Sequence, residues 1–120
     1  MEIATLKNKL NFNSREEYIE GLVIQQLKKD FFVNGIDLSC NSSKSLEDQQ
    51  LVNEITAVID RLLARDLEKL KVILYQIDVP VHSLFTEADN RVKPPDQIAS
   101  MIIQRELLKV LTRLYFKEIH

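Results

Sequence analysis

From Asp96 to His120 the chain carries neither glycine nor proline, and the pair Pro94-Pro95 stands directly before this stretch. Proline suits the first turn of a helix, where its missing N–H costs nothing. The stretch therefore reads as one long helix. Leu107, Val110, Leu111 and Leu114 recur on one face of it at helical spacing. Arg105, Lys109, Arg113 and Lys117 recur every four residues, which makes a slowly winding basic band rather than a straight row. The first turns, with Ile98, Met101, Ile102 and Ile103, are apolar nearly all round, as expected of a helix that neighbours surround. A helix of this kind needs partners.

The preceding sequence supplies them. Gly occurs only 2 times and Pro only 3 times, too few for the many turns of an all-β domain. Apolar residues make up 45% of 120 residues, enough for one packed core. Ser14 and Glu17 have the spacing of a capping box, and Ile19, Val23, Leu27 and Phe31 follow at every fourth position. Lys28 and Lys29 lie near the end of this helix, where cations suit the dipole. Asn34-Gly35 is its stop. Residues 36–45 form a polar Ser/Asn connection. A second helix begins after Ser45, with Asp48 as its capping partner, and shows Leu51, Val52, Ile55, Val58, Ile59, Leu62 and Leu63 on one face.

No glycine or proline separates this helix from the next, yet an unbroken helix to Asp78 would be roughly 50 Å long. A compact domain of this size has a radius of gyration of about 13–14 Å, so a break is expected near Ala64–Asp66, with Asp66 capping a third helix, Leu67 to Ile77. Val79-Pro80 ends that helix. A short fourth helix, Val81–Ala88, is expected to offer Leu84 and Phe85 to the core, and the fifth begins at Pro94-Pro95. Residues 1–13 read as an N-terminal arm and 14–120 as the domain. The expected fold is all-α: a single-domain irregular bundle of about five helices, with the long C-terminal helix packed centrally.

The 16 basic and 18 acidic residues nearly cancel. A duplex-DNA binder needs a basic excess to neutralise phosphates, and its absence argues against nucleic acid as the main partner. Cys40, the one cysteine, sits in a loop with no basic neighbour closer than Lys44, so it reads as an inert thiol and fits a reducing cytoplasm. The first residues lack the apolar run of a signal peptide, and no segment has the ~18 apolar residues of a membrane span. The expected location is cytoplasmic, away from membranes.

Chemistry-bearing residues are sparse. His82 and His120 are the only histidines, too few and too far apart for a metal site. Glu16, Glu17, Glu47 and Asp48 lie in first helical turns, where acids complement the dipole. No phosphate loop, dinucleotide fingerprint or catalytic serine motif occurs. No catalytic, cofactor or metal residue is therefore assigned.

Two groups remain. Arg105 lies among Ile98, Met101 and Ile102, so it is expected to be partly buried and to need a partner. Asp78, at the end of the third helix, is the candidate for a structural ion pair; the alternative is that Asp78 caps the turn at Val81. Lys109, Arg113 and Lys117 are expected on the solvated face, available as a contact surface.

The stretch LEKLKVILYQIDVPVHSLF, followed by PPDQIASMIIQRELLKVLTR, resembles an uncharacterised family of short all-helical bacterial proteins, a domain of unknown function. The matching positions are Tyr75, Ile77, Asp78 and Val79, then Ile102, Ile103 and Arg105, with Gln25 to Phe31 fitting less specifically. The resemblance implies a cytosolic helical domain and no transferable activity. Gln76 departs from it, since a basic residue is expected there. The functional expectation is a non-enzymatic protein-interaction module, with a second copy of the chain (a homodimer) among the partners its apolar faces admit. A phosphate- or RNA-binding domain using the basic stripe is the alternative.

Overall fold

The computed structural model describes residues 2–39 and 45–118. Its helices are α1 (Ile3–Lys9), α2 (Glu16–Phe32), α3 (Gln49–Arg65), α4 (Leu67–Ile77) and α5 (Pro95–Glu118), with 3-10 turns at Phe12–Ser14 and Val81–Leu84. Among the described residues there is no strand, only an isolated antiparallel bridge between Phe85 and Val92. The fold is an all-α bundle in which α5 packs against α1, α2, α3 and α4 alike. The apolar first turns of α5 explain its place: Ile98, Ala99 and Ile102 are wholly buried and Ile103 nearly so.

Local chemistry sets most of the boundaries. Gly35 takes the left-handed conformation, with φ of 79°. Its N–H donates to the Phe32 carbonyl (2.9 Å) and that of Ile36 to the Phe31 carbonyl (3.0 Å), closing α2 with a Schellman motif. The expected break after α3 falls at Asp66, which ends that helix and caps the next by accepting from the Lys69 N–H at 3.1 Å. Glu20 is buried on α2, and its Oε1 accepts the Leu46 N–H at 3.0 Å, fixing the approach to α3.

Four expectations need correction. Residues 1–13 are no detached arm. They form α1 and the following turn, and Leu6, Leu10 and Phe12 are buried in the same core as the rest, so the bundle has no boundary at residue 13. The Ser14–Glu17 capping box does not form, because Asn11 adopts a left-handed conformation and starts a 3-10 turn, in which the Ser14 hydroxyl donates to the Asn11 carbonyl at 3.0 Å. Asp48 caps α3 itself, accepting from the Gln50 N–H at 2.9 Å. The expected fourth helix shrinks to the single turn Val81–Leu84, after which Phe85 is extended.

Cys40, the centre of the polar connection and His120 lie outside the described residues. The described start of that connection is anchored: Leu38 is buried, and the Ser39 N–H and hydroxyl donate to Glu54 Oε2 at 2.6 and 3.0 Å. No helix among the described residues is long and apolar enough to cross a membrane.

Candidate functional site

Three polar links show how α2 and α5 lie side by side. Arg15 meets Glu118 through two bonds, of 2.7 and 2.9 Å. Arg113 Nη1 donates to Gln26 Oε1 at 3.1 Å. Lys109 Nζ stands 3.7 Å from Asp30 Oδ2. Numbers rise along α2 as they fall along α5, so the two helices run antiparallel. The Arg15 bond holds the exposed Glu118 carboxyl below its ordinary range.

Inside this seam lies the charge that the sequence reading passed over. Glu106 is 0% exposed, and both its carboxylate oxygens, like Asp30 Oδ2, have no well-formed hydrogen bond among the described residues. Lys109 Nζ is 3.2 Å from Glu106 Oε1. Burial pushes the Glu106 carboxyl up to about 8, Asp30 raises it further through hydrogen bonding and like charge, and Lys109 opposes the shift. At neutral pH Glu106 therefore holds a proton. That proton gives it a donor toward Asp30, while Lys109 balances the Asp30 charge. Gln26 extends the set, since its Nε2 donates to Asp30 Oδ1 at 3.0 Å while its Oε1 receives Arg113.

Arg113 belongs at the same time to a surface groove of about 340 Å³ between the two helices. Tyr18 and Leu22 from α2 and Val110 and Leu114 from α5 give it apolar walls. Lys29, Arg113 and Lys117 supply its charges, with Gln25 and Gln26 between them and no carboxylate in the lining. On α2 the residues Tyr18, Leu22, Gln25 and Lys29 are spaced four, three and four apart, the spacing that keeps side chains along one seam.

The predicted residues thus separate. Arg113 and Lys117 are exposed and share the groove. Lys109 is not on the contact surface with them: its side chain, 22% exposed, turns inward to Asp30 and Glu106, because the band winds by about 40° at each step. Lys29, read from the sequence only as a complement to the helix dipole, takes its place in the groove. His82 is exposed in the turn after α4.

Asp78 and Arg105 do face each other, but at 3.7 Å and with side chains 74% and 37% exposed. Arg105 is partly buried, as expected, with its Nε enclosed and without a hydrogen bond among the described residues, but its contact with Asp78 is solvated and is no internal strut. Asp78 has a separate task. It is left-handed, with φ of 69°, and closes α4 in a second Schellman motif: the Val79 N–H donates to the Leu74 carbonyl at 2.8 Å and the Asp78 N–H to the Tyr75 carbonyl at 3.2 Å. It does not cap the turn at Val81, which has no side-chain cap. Gln76, where a basic residue was expected, accepts from Asn34 Nδ2 at 2.8 Å and ties the ends of α2 and α4. Arg105→Met is expected to cost under about 1 kcal/mol, as for exposed ion pairs. Asp78→Val, a branched residue at positive φ, should cost about 1–3 kcal/mol, and Asp78→Gly should be tolerated. Urea titration of the three variants checks this ordering, and equal losses from Arg105→Met and Asp78→Val would contradict it.

No family model, curated protein or solved structure matches the chain. The functional reading therefore rests on the seam and its groove.

Proposed function

We propose that this protein is a small non-enzymatic interaction module of the cytoplasm, and that the groove between α2 and α5 receives a segment of a protein partner. The groove itself carries this reading. It joins apolar walls to fixed polar groups on two long helices, which hold the contact surface rigid. Single exposed apolar residues are ordinary on a protein surface, whereas a concave apolar seam with convergent polar groups is a binding feature. The phosphate or RNA alternative is weaker, since the chain as a whole has no basic excess with which to neutralise phosphates, 16 basic residues standing against 18 acidic.

The test compares variants on two faces. Leu22→Glu places a charge at a half-buried groove position, while Val72→Ser with Tyr75→Ser alters exposed residues of α4. A protein retained by the native chain should be lost by at least about tenfold with Leu22→Glu and kept by the α4 variant, with circular dichroism confirming that both fold. Retention that ignores the groove, or that disappears on nuclease treatment, would overturn the proposal. A concentration-dependent dimer in sedimentation, abolished by Leu22→Glu, would make a second copy the partner.

A further inference from the structure

The groove's charges have a spacing as well as a sign. Lys117 and Arg113 are four residues apart on α5, about 6 Å along the axis. The antiparallel pairing sets Asp30 opposite Lys109, which places Lys29 level with Val110. Lys29 is therefore three residues further along, about 5 Å. The groove thus presents three cations at successive axial levels over about 11 Å, two on the α5 wall and one across from them on the α2 wall. No carboxylate lines it, the Glu118 carboxylate beside Lys117 being bound to Arg15, although acidic residues outnumber basic ones in the chain as a whole, 18 to 16. Of the three, Arg113 is held by a neutral amide, Gln26, so its charge stays uncompensated there.

We propose that the segment this groove receives is an acidic amphipathic helix, with carboxylates at i, i+4 and i+7 set against Lys117, Arg113 and Lys29, and with its apolar stripe laid on the exposed Tyr18 and half-buried Leu22, over a floor formed by the buried Val110 and Leu114. This rests on the reading of the groove as a protein-docking site and names the chemistry of the occupant. Carboxylates at i, i+4 and i+7 of a helix stand about 6 and 10.5 Å along its axis from the first, which brings one to the axial level of each cation, where the long Lys and Arg side chains of both walls reach them. A helix also fits the walls. Two antiparallel helices leave a valley that a third fills in the manner of a bundle, and the spacing of four, three and four along α2 is that of a helix-packing seam. The part of α2 between Tyr18 and Lys29 covers about 16 Å, or three turns of a bound helix.

The inference is tested with synthetic helical peptides of about 15 residues, all carrying the same leucine stripe. One has Glu at the three positions, one Gln, one Lys, and one keeps the three Glu but has a central proline that breaks the helix. Binding is followed by methyl NMR at Leu22, Val110 and Leu114 and by titration at low and high salt. The Glu helix is expected to shift those methyls and to bind at least about tenfold more tightly than the Gln helix. Its advantage should shrink with salt, fall away in the triple variant Lys29→Ser/Arg113→Ser/Lys117→Ser, and be lost with the proline. The Lys helix is expected not to bind.

Each contrary result has its own meaning. Equal binding of the Gln and Glu helices would overturn the acidic chemistry and leave the docking site standing. Equal binding of the proline peptide would overturn the helical occupant. Peptides that leave all three methyls unshifted would overturn both the inference and the docking site. A single-stranded RNA oligonucleotide that shifts them where the Glu helix does not would replace the protein partner with nucleic acid.

Discussion

Glu106→Gln is expected to make the protein more stable at alkaline pH and to flatten the dependence of its stability on pH. The ordinary carboxyl value of 4.5 rises to about 8 in the folded state. Between these values the native protein holds a proton that the unfolded chain has released. Stability from this group is therefore highest below about pH 4.5 and declines by about 1.4 kcal/mol for each pH unit up to about 8, beyond which it is level. The total is on the order of a few kcal/mol. Glutamine keeps a donor toward Asp30 and never ionises. The native chain should lose melting temperature from about pH 6 to pH 9, and the variant should lose much less. Parallel curves would show that Glu106 enters the fold without its proton. Lys109→Met probes the same cluster from the other side. It removes the cation beside Asp30 and should cost about 3–5 kcal/mol, most of it recovered by adding Asp30→Asn.

Leu6→Ala should cost about 2–5 kcal/mol, the usual range for a buried leucine. Leu6 is 1% exposed, on a helix that packs against α5. A detached arm would respond by no more than about 0.5 kcal/mol. Urea unfolding decides between them, and an unchanged slope against denaturant would show that the variant still unfolds as a single unit. A loss under about 0.5 kcal/mol would remove α1 from the cooperative core.

These two sites also mark where sequence reading succeeds and where it stops. The long last helix, the stop at Gly35, the break at Asp66 and the end at Val79-Pro80 rest on chemistry within a few residues, so they could be read directly. Helix α1 could not. Its 7 residues are too few to hold a helix in water, and it exists because α5 presents a surface to Leu6 and Leu10. The Ser14 capping box has the right letters, but the left-handed Asn11 upstream turns the chain before the box can close.

The site divides in the same way. Arg113 and Lys117 were visible as exposed cations on the last helix. Lys109 belongs to the same spacing, yet its direction depends on where α2 lies. Glu106 did leave a signal, since it stands four residues after Ile102 and four before Val110, in the middle of the apolar face. A carboxylate in that position points to a buried acid. Its partner, Asp30, follows Val23 and Leu27 at similar spacing on α2, but only the antiparallel packing of the two helices joins them.

The central place of α5 bears on how the chain is made. Of the five helices among the described residues it is the last to leave the ribosome, and it is the one against which the other four pack. At synthesis rates of about 5–20 residues per second, the completed chain ahead of Pro95 waits roughly 1–5 s for the 24 residues of α5. During that time the faces of α1, α2 and α3 that α5 covers have no partner to pack against. Folding of this domain is thus completed after translation of its last helix, and the nascent chain spends that interval with sticky surfaces that a chaperone can hold.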